Sequence, residues 1–205
     1  MPQKLARDIP IFYRSCIDLW KGLSFLRHTQ SAVSFFGSAR LPDSHIYCQL
    51  AHEMAGEFAK KGYAVMTGGG PGIMQAANRG AFEAGGYSIG INITLPHEQR
   101  INPFVSASLM CRYFFIRKVL LARYSKIYIF FPGGFGTLDE FFELITLLQT
   151  GKIEKKPIIL VGRKFWTELL NWCQNTLLFE KMITESELAR IQIVDTAQEA
   201  IALIP

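Results

Sequence analysis

Residues 123–140 read RYSKIYIFFPGGFGTLDE, and the run Ile127-Tyr128-Ile129-Phe130-Phe131, stopped by Pro132-Gly133-Gly134, decides the fold class. An unbroken apolar run of β-branched and aromatic residues fits a strand covered on both faces, because a strand with one wet face would alternate. Pro132 cannot extend a sheet ladder, and a helix is expected after Gly136. The same unit recurs on either side. Ala32–Phe36 runs into Gly37-Ser38-Ala39-Arg40, Tyr63–Met66 into Gly68-Gly69-Gly70-Pro71-Gly72, and Pro157–Val161 precedes a helical pattern over 164–180.

Between these strands the apolar spacing predicts helices over 9–28, 45–61 (capped by Asp43 or Ser44), 72–84 and 112–124. Further strands are expected at 87–93 and 191–194, with a polar loop over 94–104 and a closing helix. Alternating strands and helices imply an α/β fold, a doubly wound Rossmann-like parallel sheet with helices on both faces. A single domain over 1–205 is expected, with 1–30 as an N-terminal helical extension. A ligand would then lie at the carboxyl ends of the strands, where the glycine loops also fall.

Composition narrows the function classes. Hydrophobic residues at 49% and charged residues at 19% exclude a disordered chain. Cys16, Cys48, Cys111 and Cys173 lie far apart, so neither a disulfide scaffold nor a zinc site is expected, and no metal is assigned. No apolar stretch is long enough to span a membrane, and Asp8, Arg14 and Asp18 interrupt any signal-peptide core, which makes the cytoplasm the expected location. Net charge is +5, and no acid occurs between Glu98 and Asp139, whereas Arg100, Arg112, Arg117, Lys118, Arg123 and Lys126 do. A positive field on that half suits an anionic ligand. The cations are not interleaved with aromatics in a stripe, so nucleic acid is not expected as a partner.

Two glycine loops, each between a strand and a helix, bring two helix N-termini to one crevice, and free N–H groups there favour phosphate. Neither loop fits GxGxxG or GxxxxGK[ST], and Gly151-Lys152 is followed by Ile153, so a dinucleotide or a Walker-type nucleotide is a poor fit. Gly69, Gly70, Gly72, Gly133, Gly134, Gly136 and Thr137 are the candidate phosphate- and nucleotide-binding residues. Thr137 also reads as an N-cap, because Thr137-x-x-Glu140 has the spacing of a capping box. Ser38 is a turn serine or a nucleotide contact. Met110, Phe114 and Phe115 are walls of a base site or core, and His97 alone among the histidines lies where it can reach the mouth. Lys118, about 100° round its helix from Arg117, is a further candidate that need not share its site.

The blocks Gly68-Gly69-Gly70-Pro71-Gly72-Ile73-Met74, Arg117-Lys118 and Pro132-Gly133-Gly134-Phe135-Gly136-Thr137-Leu138-Asp139-Glu140 resemble the signatures of the Lonely Guy (LOG) family. That family comprises Rossmann-like nucleoside 5′-monophosphate phosphoribohydrolases, older members of which were labelled lysine decarboxylases. The resemblance covers roughly residues 31–172. It implies hydrolysis of an N-glycosidic bond to free base, adenine or an N6-modified (cytokinin) adenine, and ribose 5-phosphate. It places Arg117 and Glu140 on the family's catalytic arginine and glutamate, and Gly134, Gly136 and Thr137 on its phosphate segment. Asp139, where many members have Glu, and Gln75 depart from the pattern.

The chemistry is consistent with this. A carboxylate such as Glu140 can stabilise the positive charge that builds on a sugar as its base leaves, and the fork of Arg117 suits ribose or phosphate oxygens. No cofactor is expected, and no lysine stands in a recognisable Schiff-base context. The rival reading is a nucleotide or cofactor carrier of the same fold that binds without turnover. The opening helix and the aromatic-rich 104–115 segment are expected to place more apolar surface outside the sheet than one small domain should expose, which, like the family resemblance, implies a homo-oligomer, a dimer or larger.

Overall fold

The computed structural model describes residues 2–29, 31–94 and 101–204, with side chains from residue 9 onward. His97 and Arg100 therefore lie outside the described residues. The elements are α1 (Pro2–Leu26), β1 (Ala32–Phe36), α2 (Ile46–Lys60), β2 (Ala64–Thr67), α3 (Ile73–Glu83), β3 (Ser88–Ile93), β4 (Ala107–Cys111), α4 (Phe114–Tyr124) and β5 (Ser125–Phe130). They are followed by α5 (Phe135–Gln149), β6 (Ile158–Val161), α6 (Arg163–Trp172), a π-helical segment (Cys173–Leu178), α7 (Glu185–Leu188), β7 (Ile191–Val194) and α8 (Ala197–Ala202).

All seven strands join one parallel sheet in the order β4-β3-β2-β1-β5-β6-β7. The chain winds outward from β1 to β4 on one side and from β5 to β7 on the other, so the direction reverses between β1 and β5. Strands β1, β2 and β6 are buried throughout and β5 everywhere but at Lys126, which is why their sequences are mostly apolar and do not alternate. Side chains leave a strand alternately, so Phe36, Met66 and Phe130 face a core with α1, α4, α5 and α6. Phe35, Val65 and Ile129 face one with α2, α3 and α8. Helices thus cover both faces, as the doubly wound reading requires.

Several local expectations are corrected. The 104–115 segment does not lie outside the sheet: Ala107–Cys111 is the edge strand β4, pairing with β3 from Ile89↔Ala107 to Ile93↔Cys111. Its alternating half-exposed pattern and its serine hide it from a search for apolar runs. The cap of α2 is His45, whose Nδ1 accepts from the Tyr47 N–H at 3.2 Å, rather than Asp43 or Ser44. The 164–180 pattern divides into α6 and the π-helical segment, and a short helix, α7, precedes β7.

The opening helix is clamped, not loose. Asp18 is 4% exposed and accepts the Arg112 backbone N–H at 2.9 Å and Arg112 Nη1 at 2.6 Å, tying α1 to the turn that starts α4. Gly22 gives the room for this close approach, since a Cβ there would overlap Leu120 of α4. Three cations of the expected positive half meet acids in three dimensions. Arg112 pairs with Asp18, Arg117 faces Glu140, and Lys118 pairs with Asp139 and Glu143. Among the described residues no helix is long and apolar enough to cross a membrane.

Candidate functional site

The loops that follow β1 and β5 diverge where the winding reverses, and the crevice between them is where a parallel sheet presents free loop backbone. They are joined at their base: the Phe131 N–H donates to Phe36 O at 2.9 Å and the Ser38 N–H to Pro132 O at 3.0 Å. Above this base a cavity of about 590 Å³ is lined by the Gly37–Arg40 loop, Gly68, the stretch Gly134–Glu140, and Arg117 and Lys118 of α4, with Phe114 at its edge. A smaller cavity of about 330 Å³ lies between α2 and α3, where Arg79 and His52 are both engaged by Glu83.

The α5 helix opens onto the larger cavity. Its N-cap is Gly134 and no side chain caps it, so its first N–H groups are available to an anion. The expected capping box of Thr137 and Glu140 does not form, because the helix begins at Phe135 after its N-cap Gly134, which makes Thr137 its third residue. A capping box is found instead before α7, where the Thr184 N–H donates to Glu187 Oε2 at 2.7 Å. Gly133 has a steric role, since a Cβ on it would overlap Thr137 Oγ1 and stand 3.0 Å from the Ser38 nitrogen.

Arg117 and Glu140 meet on the cavity floor with Arg117 Nη1 3.8 Å from Glu140 Oε1, and their side chains are only 12% and 14% exposed. Arg117 is held at its other end by Nε, which donates to Ile91 O at 2.9 Å. Burial pushes the Glu140 carboxyl up to about 7, with Asp139 and Glu143 pushing the same way and Arg117 and Lys118 opposing. Lys118 also lines the cavity, but its Nζ lies 2.7 Å from Asp139 Oδ2 and 2.9 Å from Glu143 Oε2. Burial works against its charge, yet these two hydrogen bonds prevail and leave its pKa raised.

The structure thus brings together Ser38, Gly134, Gly136, Thr137, Arg117, Lys118 and Glu140. Gly69, Gly70 and Gly72 are buried behind the cavity instead of lining it. Met110 projects from β4, half exposed and outside the lining, and Phe115 stacks on Tyr113, leaving Phe114 as the expected wall residue that does line it. The glycine turn is braced from beneath by residues that spacing did not single out. Thr67 Oγ1 accepts the Gly69 N–H at 2.8 Å and donates to Asn78 Oδ1 at 2.6 Å, while Asn102 Nδ2 donates to Gly70 O at 3.2 Å and to Asn78 Oδ1 at 2.9 Å. The available signal was a lone asparagine, Asn78, among the small and apolar residues of the buried face of α3. Among the described residues no cluster of metal-ligating side chains is present.

Comparison with known proteins adds to this geometry. Residues 74–204 match the model of a family described as "Possible lysine decarboxylase". A cytokinin riboside 5′-monophosphate phosphoribohydrolase from Rhodococcoides fascians is 27% identical over 184 residues, 87% of this chain and 91% of that protein. A probable cytokinin riboside 5′-monophosphate phosphoribohydrolase of Oryza sativa subsp. japonica is 32% identical over 156 residues, 75% of this chain and 73% of its own length. Among solved structures, the molybdenum cofactor binding protein from Rippkaea orientalis superposes with a TM-score of 0.65 at 20% identity, over 86% of this chain and 96% of that one. At that identity the likeness speaks for the fold alone.

Proposed function

Since the chain belongs to the Lonely Guy family, the one described as possible lysine decarboxylase, we propose that it is a cytoplasmic nucleoside 5′-monophosphate phosphoribohydrolase that releases adenine or an N6-modified adenine and ribose 5-phosphate. The observation that carries this reading is the Arg117–Glu140 pair, 3.8 Å apart on the floor of a cavity into which an uncapped helix N-terminus opens. A site for binding phosphate alone has no use for a shielded carboxylate, because like charges repel.

In this reading the Gly134–Thr137 backbone and the Gly37–Arg40 loop hold the 5′-phosphate. That anchor sets the ribose over Glu140. As the bond from C1′ to the base nitrogen breaks, its electron pair leaves with the base, which takes up a proton, and a water oxygen bonds to C1′ while giving up its own. Ionised Glu140 stabilises the cationic sugar and orients that water. Arg117 favours the ionised form of Glu140 and offers its remaining N–H groups to ribose or phosphate oxygens. Lys118 is engaged by two carboxylates, and we assign it to them instead of to phosphate.

Incubating the protein with AMP and with adenosine, and assaying free adenine, tests the proposal. AMP is expected to be cleaved, with kcat/KM for adenosine lower by about 100-fold or more, because the phosphate contacts position the sugar. Equal values for the two would remove the phosphate anchor from the reading. Binding of AMP with no adenine released would favour the second reading, a carrier without turnover, which the fold shared with a molybdenum cofactor binding protein permits.

We also infer self-association. Ile9, Phe12, Tyr13 and Trp20 form an exposed apolar stripe on α1, and Trp20 alone is 68% exposed. Light scattering is expected to return at least twice the chain mass of 23.2 kDa; the monomer mass at micromolar concentration would contradict it.

A further inference from the structure

Gly68 differs from its neighbours in why it is a glycine. Gly69 and Gly72 adopt φ of +69° and +65°, a backbone that side chains strain to follow. Gly68 does not have positive φ, so its backbone accepts any residue. It lacks space for one. A Cβ on Gly68 would overlap Arg117 Nη2 and stand 2.8 Å from Met74 Sδ.

The Arg117 guanidinium is therefore located at three points. Nε is fixed to Ile91 O within β3, Nη2 lies on Gly68 just past the end of β2, and Nη1 faces Glu140. We propose that Gly68 is a positioning residue for Arg117: the missing Cβ is the space in which the guanidinium rests, and it holds the fork toward Glu140. This rests on the phosphoribohydrolase reading of the Arg117–Glu140 pair. Both groups that a methyl at Gly68 would meet are ends of flexible side chains, so the fold absorbs the substitution and Arg117 gives way.

The test compares Gly68→Ala, Arg117→Ala and the double variant in AMP hydrolysis. In parallel, the Glu140 carboxyl is titrated by carbon-13 NMR; the charged groups acting on it are Arg117, Lys118, Asp139 and Glu143. Gly68→Ala is expected to lower kcat by on the order of 100-fold, like Arg117→Ala, and the double variant to be no worse than the poorer single one. The Glu140 titration should move upward in both single variants, because each takes a cation away from it. An unmoved titration in Gly68→Ala, or a further loss of activity in the double variant, overturns the proposal. Should wild type release no adenine, the hydrolase reading fails, while the titration still decides whether Gly68 holds Arg117. If Gly68→Ala melts well below wild type, adding Arg117→Ala is expected to restore the melting temperature, and failure to restore it also overturns the assignment.

Discussion

Glu140→Gln is expected to lower kcat by about 100-fold or more while raising the melting temperature at pH 8. The first effect is the usual scale for a group that shares in proton handling or charge stabilisation at the reacting centre. The second follows from burial. A carboxyl with an ordinary value of 4.5 that is pushed up to about 7 binds its proton more tightly in the folded protein than in the unfolded chain. Between these values the folded state holds more protons, so its stability falls as pH rises and is lowest above pH 7. Ionised Glu140 then costs the fold on the order of 3 kcal/mol. A neutral glutamine avoids that cost but leaves Arg117 without its counter-ion, so the net gain is a few degrees. Below about pH 4 the two proteins should melt together, since wild-type Glu140 is then neutral in the folded protein and in the unfolded chain alike. The activity profile carries the same signature: kcat/KM for wild type should rise through an apparent pKa near 7 and then level. A fully active Glu140→Gln variant would falsify the catalytic assignment.

Gly80→Ala should be the most damaging single methyl in the chain's helices. Helices α2 and α3 cross so closely that a Cβ on Gly80 would overlap the carbonyl oxygen of His52 and stand 2.8 Å from its carbon. Both sides of that contact are backbone, so relief requires the helices to part, and the buried Cys48, Ala51, Met54, Ala76 and Ala77 part with them. Such overpacking costs roughly 1–3 kcal/mol or more, against about 1 kcal/mol of helix propensity gained on replacing glycine by alanine. A cost of 3 kcal/mol would lower melting by roughly 6–12 °C in a chain of this size. Gly56 supplies the control. Its Cβ would lie 3.4 Å from Gly80 O, so Gly56→Ala should melt within a few degrees of wild type. Equal melting of the two variants would show that the crossing does not set the spacing of α2 and α3.

The sequence by itself determined the sheet and one wall of the site. Unbroken apolar runs such as Ile127–Phe131 have no wet face, and only a covered parallel sheet accommodates several of them in alternation with amphipathic helices. The PGGFGT block marked where β5 ends and α5 begins, because proline and glycine act on the backbone locally. Edge strand β4 escaped that logic, since one exposed side gives it a mixed composition.

Tertiary structure alone decided what lies across the crevice. No spacing shows that Lys118 would be taken by Asp139 and Glu143 while its chain neighbour Arg117 turns to Glu140. Nor does it show that Asp18, 94 residues before Arg112, would neutralise it. A glycine read along the chain signals a turn, and this holds for Gly69 and Gly72. For Gly68 and Gly80 the reason is a side chain or a backbone from a distant segment pressing on the missing Cβ. Turns and strands are set by forces acting between neighbours in sequence. Charge pairing and close approach are set by neighbours in space, and these exist only once the chain has folded.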